Sequence, residues 1–188
     1  MKKIFTVTLL FLTAVCLQAQ TLSWDFRFLM GRERESVPVS RIIRMETGQD
    51  FLFTILPALN TYCYIIFYDS QRNISVLRDQ PLNAGNEMSF GPFQLVSPSG
   101  TETIYVIMSL RRQGELERLI QGYKNNPESR EHSNNLYREV VRLQNAASGL
   151  GEPAAVFIPG GGTTRGEQNF VTRFSGKDLY VRAITIRH

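Results

Sequence analysis

Residues 101–123 read TETIYVIMSLRRQGELERLIQGY, and the period of their apolar positions changes part-way along. Thr103–Leu110 is an apolar run of strand length, rich in β-branched and aromatic residues. From Leu116 onward the pattern is different. Leu116, Leu119, Ile120 and Tyr123 recur at the spacing that places side chains on one face of an α-helix. Everything before this switch reads as strands and turns. A second helical pattern follows it, and then strands return. That order is not an alternating strand–helix series with a parallel sheet. It predicts a mainly β, α+β chain: an antiparallel β-sandwich carrying a two-helix insertion near residues 111–148.

Working back toward the N-terminus, Thr61–Tyr68 (TYCYIIFY) is the strongest strand. Asp69–Asn73 is a polar hairpin loop, and Ile74–Leu77 pairs back onto that strand. Phe51–Leu56 is a strand ending at Pro57. Ser23–Gly31 mixes apolar and charged positions and reads as the first strand. Val37–Met45 is a second candidate, broken by Pro38. Phe90–Val96 is interrupted by Gly91-Pro92, so it belongs at a sheet edge or a bulge.

Working forward, Asn125-Asn126-Pro127 stops the first helix, and Pro127 suits the opening of the next. Leu136, Val140 and Leu143, with Tyr137 and Val141, form the second apolar helical face. Ala154–Ile158, Asn169–Phe174 and Leu179–Ile186 are strands. On the last, Leu179, Val181, Ala183 and Thr185 share one face, and Tyr180, Arg182, Ile184 and Ile186 share the other. Both faces are mostly apolar, which predicts a well-buried strand rather than a solvated edge.

The chain has 188 residues, which suits one domain over residues 20–188. Its N-terminus carries Lys2 and Lys3, an apolar run from Ile4 to Leu17, and then Gln18-Ala19-Gln20. This is the pattern of a secretory signal peptide over residues 1–19, cleaved after Ala19. The run is too short to span a bilayer, which takes about 20 residues. A rival reading makes Leu12–Cys16 a lipoprotein box with Cys16 lipidated, but bulky Val15 stands where a small residue is usual. Membrane attachment is expected only in that case. The expected location is the periplasm or cell envelope. The formal charge is +4, and without the two leader lysines it is 19 − 17 = +2. Neither value marks a nucleic-acid binder. Loss of Cys16 leaves Cys63 alone in an apolar run, where it reads as a buried, inert thiol.

Three pieces in order carry a family likeness: Tyr62–Asp69 (YCYIIFYD), then Asn83-Ala84-Gly85-Asn86, then Pro98-Ser99-Gly100-Thr101-Glu102 leading into Ile104–Ser109. Residues 50–110 thereby resemble the bacterial domain of unknown function 4384. The asparagine turn is shorter here by one spacing, and the helical insertion departs from the compact family core. The resemblance implies an extracytoplasmic or accessory β-domain and no catalytic residues.

No motif carries chemistry by itself. Gly160–Gly166 (GGGTTRG) lacks the Lys-Ser/Thr ending of a phosphate loop and runs into Glu167. It reads as a flexible loop, with Gly161, Thr163 and Arg165 as possible partner contacts. His132 falls near the start of the second helix, and His188 at the chain end is expected to be mobile. They have no metal-ligand spacing. Glu115 and Glu117 suit the positive end of the first helix. Tyr62, Tyr64 and Tyr68 share a strand face. They form either an exposed strip for stacking on sugar rings or, preferably, a surface packed under the helices with hydroxyls at its edge. No cofactor and no metal is expected. The chain therefore reads as a non-enzymatic exported module making protein–protein contacts in the cell envelope. The alternative is a glycan or small-ligand module using the tyrosine face.

Overall fold

The computed structural model describes residues 21–39, 42–147, 154–157 and 170–188. The expected signal segment with Cys16, and the expected loop with Gly161, Thr163 and Arg165, lie outside the described residues. Over the described residues the chain is mainly β, with two helices and two sheets. The strands are β1 (Leu22–Met30), β2 (Glu35–Val37), β3 (Ile43–Arg44), β4 (Asp50–Pro57), β5 (Thr61–Tyr68), β6 (Ile74–Leu82), β7 (Met88–Gln94), β8 (Thr101–Ser109), β9 (Ala154–Phe157), β10 (Phe170–Gly176) and β11 (Leu179–Arg187). The helices are α1 (Gly114–Asn125) and α2 (Arg130–Ala147), both inserted between β8 and β9.

The first sheet runs β7-β4-β1-β10-β9, with β2 beside the end of β1. The second runs β3-β11-β8-β5-β6. Alternation along β1 turns Leu22, Trp24, Phe26 and Phe28 inward. They meet Phe51, Phe53 and Ile55 of β4 and Phe174 of β10. Trp24 and Phe174 stack at 4.5 Å, and Phe28 and Phe51 at 5.2 Å. The second sheet closes this core with Cys63, Ile65, Ile104, Val106, Met108, Ile184 and Ile186.

A separate cluster fills the other side of the second sheet. Tyr64, Ile66, Tyr105 and Ile107 point outward there and meet Leu116 and Ile120 of α1 and Leu136, Val140 and Leu143 of α2. The four aliphatic groups Leu116, Ile120, Leu136 and Val140 are fully buried. Removing each from water contributes about 1.5–3 kcal/mol. The helices are therefore a roof laid flat on the sheet.

Three expectations change. The expected strand Val37–Met45 is split: β2 joins the first sheet, β3 the second, and the chain crosses between them after Pro38, which has no N–H for a ladder. One pairing is parallel, β3 with β11, because β3 enters by this crossover and not by a hairpin. Both faces of β11 are covered, yet β3 pairs only with Ile186 and Arg187, so the rest of that edge has no described strand beside it. The interruption at Gly91-Pro92 does fall on the outer strand β7, where the register shifts between Phe51 and Phe53. Gly91 holds φ +109°, and a Cβ there would lie 3.0 Å from the Phe51 carbonyl oxygen.

Candidate functional site

The three tyrosines of β5 lie under α1 and α2 and have different fates. Tyr64 is 1% exposed. Its hydroxyl donates to Glu117 Oε1 at 2.7 Å and accepts the Gln113 backbone N–H at 3.1 Å. Burial, and then the Glu117 carboxylate, holds its phenol well above the usual tyrosine range. It ties α1 to the sheet, so it cannot belong to an exposed stacking strip. Tyr68 is half-buried, and one face of its ring is occupied by Tyr137 of α2 at 4.6 Å. Tyr62 is half-buried and lines a groove.

That groove, about 830 Å³, runs between α1 and the end of β6. Its charged lining is Asp79, Arg112, Glu117 and Arg118, with Tyr62, Pro81, Gly114 and Gln121 between them. The charges are already paired. Arg112 Nε donates to Glu117 Oε2 at 3.0 Å, and Arg118 Nε to Glu115 Oε2 at 2.9 Å. Lys124 Nζ stands 2.8 Å from Asp79 Oδ2. The hydrogen bond from Arg112 holds the Glu117 carboxyl below the usual carboxylate range. Two cations and two anions line the groove, so its walls are electrically balanced.

The edge of β6 beside the groove is occupied. Arg78 donates from Nε to the Gln80 carbonyl at 3.2 Å and from Nη2 to the Pro81 carbonyl at 2.7 Å. At the start of the strand the Tyr123 hydroxyl donates to the Ile74 carbonyl. A second, polar cleft of about 640 Å³ lies at the other end of α1, between the Gln71–Asn73 turn and the start of α2.

The other singled-out residues are structural. His132 lies in the first turn of α2, and its Nδ1–H donates to the Gly122 carbonyl at 2.7 Å, joining the two helices. Cys63 is fully buried, and burial pushes its thiol up to about 12. Glu117 lies in the first turn of α1 as expected, but its dominant contacts are Arg112 and Tyr64. His188 is corrected: its side chain is fully buried, and its backbone exchanges two hydrogen bonds with Gly100 at 3.0 and 3.1 Å. The strand register with β8 carries it inward beyond Ile186. Among the described residues no group of three or more His, Cys, Asp or Glu side chains is placed to hold a metal ion. Also among them, no helix is long and apolar enough to cross a membrane.

The groove residues Asp79, Arg112 and Gln121 are absent from the sequence-based reading, and Glu117 enters it only as a helix-start charge. Arg112 and Glu117 flank the opening of α1, but Asp79 reaches them only through the β5–β6 pairing. No family model, no curated protein and no solved structure matches the chain.

Proposed function

We propose that this chain is an exported, non-enzymatic binding module of the cell envelope and that it binds a neutral, polyhydroxylated ligand, of the glycan class, in the groove along α1. The carrying observation is Tyr62 lining a groove whose four charged side chains cancel. An aromatic ring offers an apolar face to a sugar ring, and carboxylates and guanidinium groups offer acceptors and donors to hydroxyls. A charged ligand gains no net attraction from balanced walls. Export rests on the Met1–Ala19 pattern. The absence of catalysis is supported by the inert Cys63 thiol and by the tyrosine and carboxylate of the roof being engaged in holding it.

The test is a thermal-shift and calorimetric titration with a panel of neutral and charged oligosaccharides. The melting temperature rises with concentration of a neutral member, and Tyr62→Ala removes the rise. A panel that leaves the melting temperature unmoved overturns the glycan reading. Contact with an envelope protein is the second reading, and Ile42 and Val96, 48% and 62% exposed, are the large apolar side chains exposed among the described residues. In-cell crosslinking from those two positions tests it, and capture of no reproducible envelope protein sinks it.

A further inference from the structure

At one end of the sandwich, two ionisable side chains are shut away together. Ile186 of β11 is in register with Glu102 of β8, so Glu102 and His188 both point inward there. Their side chains are 6% and 0% exposed. His188 Nε2 lies 3.4 Å from Glu102 Oε1, and Nδ1 lies 3.1 Å from the Thr47 hydroxyl. Thr47 belongs to the turn that carries the chain from β3 in the second sheet to β4 in the first. Backbone bonds fasten the same turn: Met45 N–H to the Arg187 carbonyl at 3.0 Å and Gly48 N–H to the Leu95 carbonyl at 2.7 Å. The segment 42–49 is thus a strap across the end of the sandwich, and the buried pair lies beneath it.

We propose that Glu102 and His188 form a proton-operated latch on this strap. With one proton between them, the pair is net neutral: the Glu102 carboxylic acid donates to Nε2, and Nδ1–H donates to Thr47. Nε2 has no well-aligned partner otherwise, so an added carboxyl proton is what would satisfy it. Loss of that proton leaves a carboxylate out of water with no cation beside it. The other charged groups around the pair do not replace it. Asp69, in the β5–β6 turn, adds its negative field to Glu102. Gly100 permits that approach: a Cβ there would sit 2.5 Å from the Ser70 Cβ. Arg44 and Arg187, in register at the strand ends, are exposed, as is Glu46.

The direction follows from burial, which raises the Glu102 carboxyl above its ordinary value against the lowering influence of His188. A group raised on folding contributes its full stability below its unfolded value and loses it as pH climbs through the folded one. The latch is therefore closed in acid and released as pH rises above the ordinary carboxylate range. Released, the strap takes β3 off β11 and bares the whole outer edge of that strand to pairing with another chain.

The test is amide hydrogen exchange of the full chain between about pH 4 and about pH 8, corrected for intrinsic exchange. The amides of Met45, Gly48 and His188 lose protection by about tenfold for each unit by which the folded carboxyl value exceeds the unfolded one. Those of β1 stay protected. Glu102→Gln keeps the strap protected at every pH, because the amide imitates the protonated acid. His188→Gln, a second variant, weakens protection at the acid end. Strap protection that is flat with pH in the wild type, or a pH dependence that survives in Glu102→Gln, overturns the proposal.

Discussion

Two interior strands, β1 of the first sheet and β5 of the second, solve different problems. Along β1, the inward Trp24, Phe26 and Phe28 alternate with Ser23, Asp25 and Arg27, which face the other way and are half-buried. Asp25 meets Arg173 at 2.7 Å, and Arg27 meets Glu87 at 3.6 Å. In β5 the alternation vanishes. Cys63 and Ile65 serve the sandwich core, while Tyr64 and Ile66 serve the roof, and all four are buried. A strand covered on both faces needs apolar side chains at every position, whereas a strand with one polar face needs them only at every other. The composition of a strand thus states whether anything lies on its second face.

The largest test of this contrast is a set of neighbouring truncations followed by urea unfolding. Phe26→Ala costs about 3–5 kcal/mol, and Ile65→Ala and Ile66→Ala each cost about 2–5 kcal/mol, because all three leave cavities. On β5 the two neighbours are therefore of similar cost. If Ile66→Ala proves nearly neutral while Ile65→Ala does not, the roof is not packed on the sheet in solution.

Next in size is Tyr64→Phe, which strands the Gln113 N–H and removes a donor from Glu117. It is expected to cost about 1–3 kcal/mol, and an unchanged unfolding midpoint would show that the ring alone holds α1. The same contact has a pH signature. The Glu117 carboxyl is depressed on folding, chiefly by Arg112, so its contribution is full above the ordinary carboxylate range and lost as pH falls through the folded value. Acid titration of stability should therefore show a loss in the wild type that Glu117→Gln lacks. This runs opposite to the Glu102 latch, and the two variants separate the effects.

Smallest is Asp25→Ala on the polar face of β1, expected at about 1 kcal/mol for an ion pair whose arginine stands in solvent. A cost equal to that of Phe26→Ala would break the comparison, since it would make the outer face of β1 as structural as its inner one.

Much of this architecture is legible in the sequence, because strand and helix periods are local. The hairpin Thr61–Leu77, the switch near Leu110, both helix faces and the irregular edge at Gly91-Pro92 follow from short windows. The continuous run Tyr62–Tyr68 already implied a cover on both faces. The division of Val37–Met45 between two sheets was not legible, because three residues of strand, Glu35–Val37, and two, Ile43–Arg44, carry almost no periodic signal. The groove was not legible either, since Asp79 and Arg112 come to line one groove only after β5, β6 and α1 are assembled. His188 misled for a related reason: a terminal residue has no flanking pattern, and its burial depends on register with a strand that begins 87 positions earlier, at Thr101.

The guanidinium of Arg78, lying over the Gln80 and Pro81 carbonyls, has a colloidal consequence. With Tyr123 on the Ile74 carbonyl, it leaves the outer strand of the second sheet short of free acceptors at both ends. A second copy of the chain finds no continuous ladder there on which to grow a fibril. Arg78→Ala should therefore make concentrated solutions turbid sooner than the wild type, through pairing at this strand.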